Sequence, residues 1–229
     1  MRVKICGINS AEALAAVVRG RADYAGFVFF PRSPRVVTAD QAAAIRATQA
    51  DTPPTVGLFV KPELADIAAV LAVMPLDYLQ VYGDPSIARA IRAAFGHPVW
   101  LARGVSSRAD LAAIETDAEG LDGLVIESKP PPGATRPGGN ALAIDWSLLA
   151  GWSPRLPWLL AGGLTPANVA EAIARSGATG VDVSSGVETS PGAKDSSLIR
   201  SFIEASRNAP AALSAGDHAE YEGHEQGVP

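Results

Sequence analysis

The chain has 229 residues, 48% of them hydrophobic, and a formal net charge of −5 at pH 7. This length and composition predict a soluble globular protein with a large core, built as two small domains or as one α/β barrel. Four of the five surplus negative charges lie in residues 208–229, which contain no Lys or Arg, and neither part of the chain has the basic surface that nucleic-acid binding requires.

Eight short segments with strand character alternate along the chain with alanine-rich segments of helical periodicity. The predicted strands are residues 2–8, 24–30, 55–60, 77–83, 98–104, 122–128, 157–163 and 179–185. One predicted helix has clear end signals, since it opens at Thr165-Pro166 and stops at Gly177. Such alternation indicates a parallel sheet, and eight units favour a closed (β/α)8 TIM barrel over an open doubly wound sheet.

We expect this α/β barrel to be a single catalytic domain over residues 1–207, followed by an acidic, disordered and dispensable tail over residues 208–229. Two connections are long, "PRSPRVV" after the second strand and "KPPPGATRPGGNALAIDWSLLAGWS" after the sixth. Both follow the carboxyl end of a strand, where TIM barrels build their active sites. The proline-rich start of the second connection predicts an extended, mobile cover.

The alternation of side chains along each strand predicts which of them enter the barrel. In the first strand Val3 and Ile5 share one face and Lys4 and Cys6 the other, and the wholly apolar face should meet the helices. By the same reasoning, six polar or reactive side chains point inward: Lys4, Cys6, Gln80, Glu127, Asp182 and Ser184. Polar groups that converge in an interior are costly unless they pair with each other or with a ligand, so this pattern indicates a site.

Each candidate also has an ordinary structural interpretation. Cys6 could be a small core residue and Gln80 a hydrogen-bonded core amide. Glu127 could be solvated at a strand end, Asp182 could brace loops, and Arg35 could be a surface arginine. For Cys6 a catalytic role is favoured over packing, because the residue ends a strand and shares a face with Lys4, whose charge would lower the thiol pKa.

The two loops after the seventh and eighth strands have the composition of an anion site. "LAGGLTPANV" places Gly162 and Gly163 at a strand end before a helix, and "DVSSGVE" places Ser184, Ser185 and Gly186 in the same way one unit later. Small residues let backbone N–H groups approach an anion, and these two loops are where barrel enzymes usually hold phosphate. Two ordinary glycine-containing turns that bind no ligand would have the same sequence.

The few cysteines and histidines restrict the other chemistry that the chain could support. Cys6 is the only cysteine, which excludes an internal disulfide and fits a reducing compartment. We find no signal peptide and no apolar run of the roughly 18 residues that a membrane span needs, so we expect a cytoplasmic protein without membrane contact. His97 precedes a strand and His218 and His224 lie in the tail, which argues against a catalytic histidine or a metal site.

With "VKICGI", "GFVFFPRSPR", "LAGGLTPANV" and "GVDVSSGVE" in this order, the sequence resembles phosphoribosylanthranilate isomerase of tryptophan biosynthesis over residues 2–207. The resemblance implies a TIM-barrel ketol isomerase without a cofactor. Its small phosphorylated substrate, N-(5-phosphoribosyl)anthranilate, would be converted to 1-(2-carboxyphenylamino)-1-deoxyribulose 5-phosphate by an acid/base Amadori rearrangement.

The resemblance also implies roles for individual residues. Cys6 would be the base and Glu127 the acid, while Arg35 would bind the anthranilate carboxylate and Gln80 and Asp182 would contact the rest of the substrate. The phosphate would be held by Gly162, Gly163, Ser184, Ser185 and Gly186.

Three positions depart from the family pattern. Glu127 stands where aspartate is usual, Tyr82 where histidine is usual, and Ala141 where another glycine is common. One extra methylene moves a carboxyl by about a bond length, and a misplacement of about 1 Å can cost on the order of 10²-fold in rate. These departures leave room for an altered rate or substrate.

Two alternatives to the isomerase stay open at this stage. The chain could be a phosphate-binding barrel with a regulatory role and impaired catalysis. It could act on another substrate, as the related aminoimidazole isomerase of histidine biosynthesis does, although no internal repeat is present and that enzyme works with two aspartates. A metal-dependent sugar-phosphate epimerase fits less well than these two, because none of the three histidines is placed to serve as a ligand. The sequence leaves the choice between monomer and homodimer open.

Overall fold

The structure is a computed structural model that describes residues 1–129 and 144–210. Eight parallel strands form a closed barrel in sequence order, which confirms the predicted TIM barrel. The strands are β1 (Arg2–Cys6), β2 (Tyr24–Val28), β3 (Thr55–Val60), β4 (Tyr78–Tyr82), β5 (Val99–Val105), β6 (Gly123–Ser128), β7 (Trp158–Leu160) and β8 (Gly180–Val183). Each overlaps its predicted segment, and most are shorter because the flanking residues enter loops.

Seven α-helices surround the barrel within the described ranges. They are α1 (Ala11–Gly20), α2 (Ala39–Ala47), α3 (Leu64–Leu71), α4 (Pro85–Phe95), α5 (Arg108–Asp117), α6 (Val169–Ser176) and α7 (Ser196–Arg207). Local sequence fixes their ends: Thr38 and Ser107 begin α2 and α5 with capping boxes, and Gly177 ends α6 in the left-handed conformation. No helix in this part of the chain is both long and apolar enough to cross a membrane.

The structure adds a short 3₁₀ turn in the sixth unit and differs from the prediction at the start of one helix. In the sixth unit, the described part of the connection to β7 contains a 3₁₀ turn, Trp146–Leu149, and residues 130–143, with Ala141, lie outside the described residues. The helix predicted to open at Thr165-Pro166 begins at Val169, and the residues before it form a turn in which the Thr165 carbonyl accepts from the amides of Asn168 at 3.3 Å and Val169 at 3.1 Å.

A short antiparallel hairpin that the sequence analysis did not predict follows β8. Its strands are β9 (Glu188–Ser190) and β10 (Ala193–Lys194), and it leads directly into α7. The last helix ends at Arg207, and residues 211–229 of the predicted tail lie outside the described part of the chain.

The two faces of each strand enter different cores, as predicted. Val3 and Ile5 pack in the large cluster between the barrel and the helices, whereas Val125 packs in a second cluster inside the barrel. Lys4 and Cys6 are buried on the inner face. The second cluster contains Val56, Trp100, Ala102, Val125, Leu159 and Ala161.

Three aromatic rings close the amino-terminal end of the barrel. Trp100 contacts Tyr24 and Tyr78 at centroid distances of 4.9 and 4.7 Å, and the two tyrosine rings lie 5.5 Å apart. Such pairs add to the apolar burial of the rings. Since this end is filled, a ligand can enter the barrel from the carboxyl ends of the strands.

Candidate active site

A cavity of about 700 Å³, which includes space open to solvent, lies at the carboxyl ends of the strands. Eight of the ten predicted site residues line it: Cys6, Arg35, Glu127, Gly162, Gly163, Asp182, Ser184 and Ser185. Gln80 and Gly186 are not among the lining residues.

Cys6 is held at the cavity wall by close backbone packing. It is 4% exposed and ends β1, and its carbonyl accepts from the Ser184 hydroxyl at 3.2 Å. The next residue, Gly7, has φ +77°, and a Cβ there would lie 2.7 Å from Cδ of Arg35. On β2, a Cβ at Gly26 would lie 3.1 Å from the Cys6 sulfur. The two glycines therefore provide the space for the thiol and for the arginine beside it.

A buried ion pair lies behind the thiol. Lys4 and Asp182 are register partners on β1 and β8, and Nζ of Lys4 lies 2.9 Å from Oδ2 of Asp182. Burial alone would lower the pKa of Lys4, but the charges of Asp182 and Cys6 outweigh it and raise the pKa. Oδ1 of Asp182 has no hydrogen-bond partner among the described residues, and Asp182 lines the cavity. It can accept a hydrogen bond from a ligand hydroxyl.

The sequence analysis expected the neighbouring lysine to lower the pKa of Cys6, and the balance in the structure is the opposite. Burial raises the thiol pKa, and the opposing charges of Lys4 and Lys194 do not fully compensate for it. At neutral pH the resting group is therefore the thiol. The two ammonium groups stabilise the thiolate once it forms.

We expect this balance to be visible in the alkylation of Cys6 by iodoacetamide. Since the thiolate is the nucleophile and the pKa of Cys6 lies above the ordinary thiol value of 9.0, the rate should rise about tenfold per pH unit with no plateau below that pH. The single adduct can be counted by mass spectrometry, with Cys6→Ser as the blank. A plateau near neutral pH would show that the two cations dominate over burial.

Glu127 ends the inner face of β6 and is 4% exposed. Tyr82, at the end of β4, lines the same cavity. Burial raises the pKa of Tyr82 well above its ordinary value, and the charge and hydrogen bond of Glu127 raise it further. The phenol therefore stays neutral and can donate to the Glu127 carboxylate.

Arg35 reaches the cavity from the loop after β2 and is 6% exposed, so the surface interpretation is wrong. Its Nε and Nη2 atoms lie 2.7 and 2.8 Å from the two carboxylate oxygens of Glu188 in β9. This bidentate pair fixes the plane of the guanidinium. Arg35 can still contact a ligand anion with the part of the group that lines the cavity.

The predicted anion loops meet on one side of the cavity. Gly162 and Gly163 have φ of +84° and +64°, and the Asn168 side chain braces their loop by donating to the Gly163 carbonyl at 3.0 Å. Ser184 and Ser185 line the cavity from the neighbouring loop. Consecutive amides in such small-residue loops form anion-binding concavities.

Gly186 and Gln80 contribute in other ways than the sequence analysis expected. A Cβ at Gly186 would overlap the carbonyl of Leu164, so this glycine lets the loop after β8 approach the loop after β7. Gln80 is fully buried two residues before Tyr82, and its amide atoms have no partner among the described residues. We have no physical account of these unpaired atoms.

Sequence reasoning assigned no role to two buried charges beside the site, Glu188 and Lys194. The signal for the first was its place at the end of the quoted "DVSSGVE" motif. His97 lies elsewhere, with Nδ1 3.0 Å from the Phe95 carbonyl. Among residues 1–129 and 144–210, no three His, Cys, Asp or Glu side chains are grouped as metal ligands would be.

Comparison with known proteins matches this chain to one family. The family described as N-(5'-phosphoribosyl)anthranilate (PRA) isomerase matches residues 3–205. The chain is 56% identical over 209 residues to the N-(5'-phosphoribosyl)anthranilate isomerase of Acidiphilium cryptum, which covers 91% of this chain and 99% of that protein.

Solved structures give the same result. The phosphoribosyl anthranilate isomerase of Thermotoga maritima is 34% identical, with a TM-score of 0.79 and coverage of 90% of this chain and 98% of that one. A phosphoribosyl anthranilate isomerase in complex with reduced 1-(o-carboxyphenylamino)-1-deoxyribulose 5-phosphate is 33% identical, with a TM-score of 0.77 and the same coverage.

Proposed function

The chain belongs to the N-(5'-phosphoribosyl)anthranilate isomerase family, and we propose that Cys6 and Glu127 carry the proton transfers of its reaction. It is the isomerase of tryptophan biosynthesis that converts N-(5-phosphoribosyl)anthranilate into 1-(2-carboxyphenylamino)-1-deoxyribulose 5-phosphate. The observation that carries the assignment of roles is that one thiol and one carboxyl group line the same cavity. An Amadori rearrangement requires one acid and one base, and no cofactor.

The first step opens the ribose ring. Glu127, as the acid, donates a proton to the ring oxygen while the lone pair of the aniline nitrogen forms the C1–N double bond, and the C1–O bond breaks. The product of this step is an open-chain iminium. The Tyr82 hydroxyl donates to the carboxylate that remains and so stabilises the ionised form.

The second step moves a proton from carbon. Cys6 first loses its thiol proton to solvent, and the thiolate then removes the proton from C2, while the electrons of that C–H bond neutralise the iminium to give an enolamine. The enolamine then takes a proton at C1 and loses the hydroxyl proton at C2, which gives the ketone. Lys4 lies beside the sulfur as a fixed positive charge, because Asp182 keeps it protonated.

Substrate binding uses the remaining groups at the cavity wall. Arg35 binds the anthranilate carboxylate, a planar anion suited to a guanidinium. Oδ1 of Asp182 accepts from a substrate hydroxyl. We assign Gln80 to the support of the inner wall rather than to direct contact. The phosphate is held by the loops that contain Gly162, Gly163, Ser184, Ser185 and Gly186.

We propose further that residues 1–207 form the catalytic domain and residues 208–229 a dispensable tail. A cytoplasmic location is supported by the biosynthetic family and by the lone thiol, which a reducing compartment would preserve. The T. maritima relative is described as dimeric. For this chain, monomer and homodimer are both compatible with a site built from one chain's residues.

The test is turnover of substrate formed in situ from ribose 5-phosphate and anthranilate. Loss of substrate fluorescence would be followed, and the ketose phosphate would be identified by its mass and its reaction as a ketone. We expect rapid conversion, with no added metal or cofactor. Tight binding of the substrate without conversion would favour the alternative of a regulatory phosphate-binding barrel.

A further inference from the structure

The hairpin after β8 ties three loops of the catalytic face together. Glu188 begins β9 and pairs with Arg35 of the loop after β2. At the turn of the hairpin, the Gly192 carbonyl accepts from the side-chain amide of Asn9, in the loop after β1, at 2.8 Å. Lys194, in β10, donates to the Ser184 carbonyl at 2.8 Å. The hairpin thus contacts the elements on both sides of Cys6.

The carboxylate of Glu188 lies at the centre of these contacts. Its Oε1 atom is 2.7 Å from Nε of Arg35 and 2.7 Å from Nζ of Lys194, and its Oε2 atom accepts from Nη2 of Arg35 at 2.8 Å and from the amide of Gly192 at 3.2 Å. The Glu188 and Lys194 side chains are only 3% and 1% exposed. Although burial opposes ionisation, the two cations lower the pKa of Glu188 to about 2.

This arrangement leaves positive charge, and one edge of the Arg35 guanidinium, available to bind an anionic ligand. Two buried cations share a single carboxylate, which leaves a surplus of positive charge, although burial and the charge of Arg35 lower the pKa of Lys194. Glu188 holds the side of the guanidinium formed by Nε and Nη2, and no hydrogen bond to Nη1 is found within the described residues. Arg35 lines the cavity whereas Glu188 does not. Glu188 therefore makes no contact with a ligand in the cavity, and its contacts reach the cavity through Arg35 and the Ser184 loop.

We propose that Glu188 is a positioning residue that sets the selectivity of the site for a substrate carboxylate. It orients the Arg35 guanidinium so that the edge with Nη1 faces the anthranilate carboxylate, and it holds Lys194 against the Ser184 loop. This inference rests on the proposed function, in which Arg35 binds that carboxylate. Without the bidentate pair to Glu188, the Arg35 guanidinium would keep its charge and lose its fixed orientation.

The test compares two ligands on three proteins. The ligands are the reduced product, 1-(o-carboxyphenylamino)-1-deoxyribitol 5-phosphate, and its anilino counterpart without the carboxyl group. The proteins are the wild type, Glu188→Gln and the control Glu171→Gln, which removes an exposed glutamate paired with Arg175 on α6. Dissociation constants would be measured by calorimetry, with thermal unfolding as a check on folding.

We expect the wild type and the control to prefer the carboxylated ligand, and Glu188→Gln to lose about 10- to 100-fold of that preference. The anilino ligand should bind Glu188→Gln nearly as well as it binds the wild type. If Glu188→Gln folds poorly, Glu188→Asp, which keeps the charge but cannot reach both cations, should lose the same preference.

Three results would overturn the proposal. Equal weakening of both ligands would make Glu188 a structural brace only. Tighter binding of the carboxylated ligand by Glu188→Gln would mean that Glu188 competes with the substrate for Arg35. If the wild type does not prefer the carboxylated ligand, the role of Arg35 in the proposed function is refuted. Turnover by the wild type would then show whether the isomerase activity is present without that role of Arg35.

Discussion

We expect the Cys6→Ala substitution to lower kcat by on the order of 10² to 10⁴-fold, because it removes the only group proposed to take the proton from C2. KM should change little, since the thiol contributes to the transition state and not to the binding of the phosphate or the carboxylate. The Lys4–Asp182 pair stays intact in this variant, so the loss would report on the thiol itself.

Cys6→Ser provides the matched variant, because it keeps the shape of the side chain and replaces the thiol with a far weaker acid. Both variants would be assayed with substrate formed in situ, and their folding compared by circular dichroism and thermal unfolding. The proposed role of Cys6 predicts that neither recovers activity. A kcat of Cys6→Ala within tenfold of the wild type would remove the cysteine from the mechanism.

The second large effect is expected for Glu127→Gln, which keeps the size of the side chain and removes its acidic proton. We expect kcat to fall by on the order of 10² to 10⁴-fold, because the ring oxygen then leaves without a proton donor. Glu204→Gln, at an exposed position of α7, serves as the control for the loss of one carboxylate. Wild-type activity in Glu127→Gln would assign the acid to another group.

Glu127→Asp tests whether the longer acid is matched to its surroundings. The usual aspartate of the family would withdraw the carboxyl by about a bond length, and a misplacement of about 1 Å can cost on the order of 10²-fold. In this chain Tyr82 accompanies the glutamate and hydrogen-bonds to it. We therefore expect Glu127→Asp to be slower than the wild type, and a faster variant would mean that the glutamate impairs catalysis.

The barrel and most of the site could be predicted because the responsible patterns are local. Period-two alternation placed Lys4 and Cys6 inside and Val3 and Ile5 outside, and strand ends determined which residues could meet at the cavity. The inward orientation of Asp182 is likewise predicted by its place in the alternation along the eighth strand. Eight of the ten expected residues line the cavity, and of these Arg35 was expected from the family resemblance and not from a strand pattern.

What the sequence could not provide was the balance between long-range effects. The sequence predicts the charge of Lys4 beside Cys6, but the opposing charge of Asp182 and the cost of burying the thiol depend on depth within the fold. Glu188 and Lys194 lie in a short polar segment without a strong periodic pattern, so their hairpin was missed. Gly186 was assigned to the phosphate from its loop, yet it is required by the approach of a neighbouring loop.

The division of labour between the two groups can be measured with substrate that carries deuterium at C2 of the ribose. Its turnover would be compared with that of the protium substrate in the wild type, Cys6→Ser and Glu127→Gln. If Cys6 removes the C2 proton and Glu127 opens the ring, the isotope effect should grow in Cys6→Ser, where C–H cleavage becomes limiting, and fall toward unity in Glu127→Gln, where ring opening limits. The reverse pattern would contradict the assignment of base and acid.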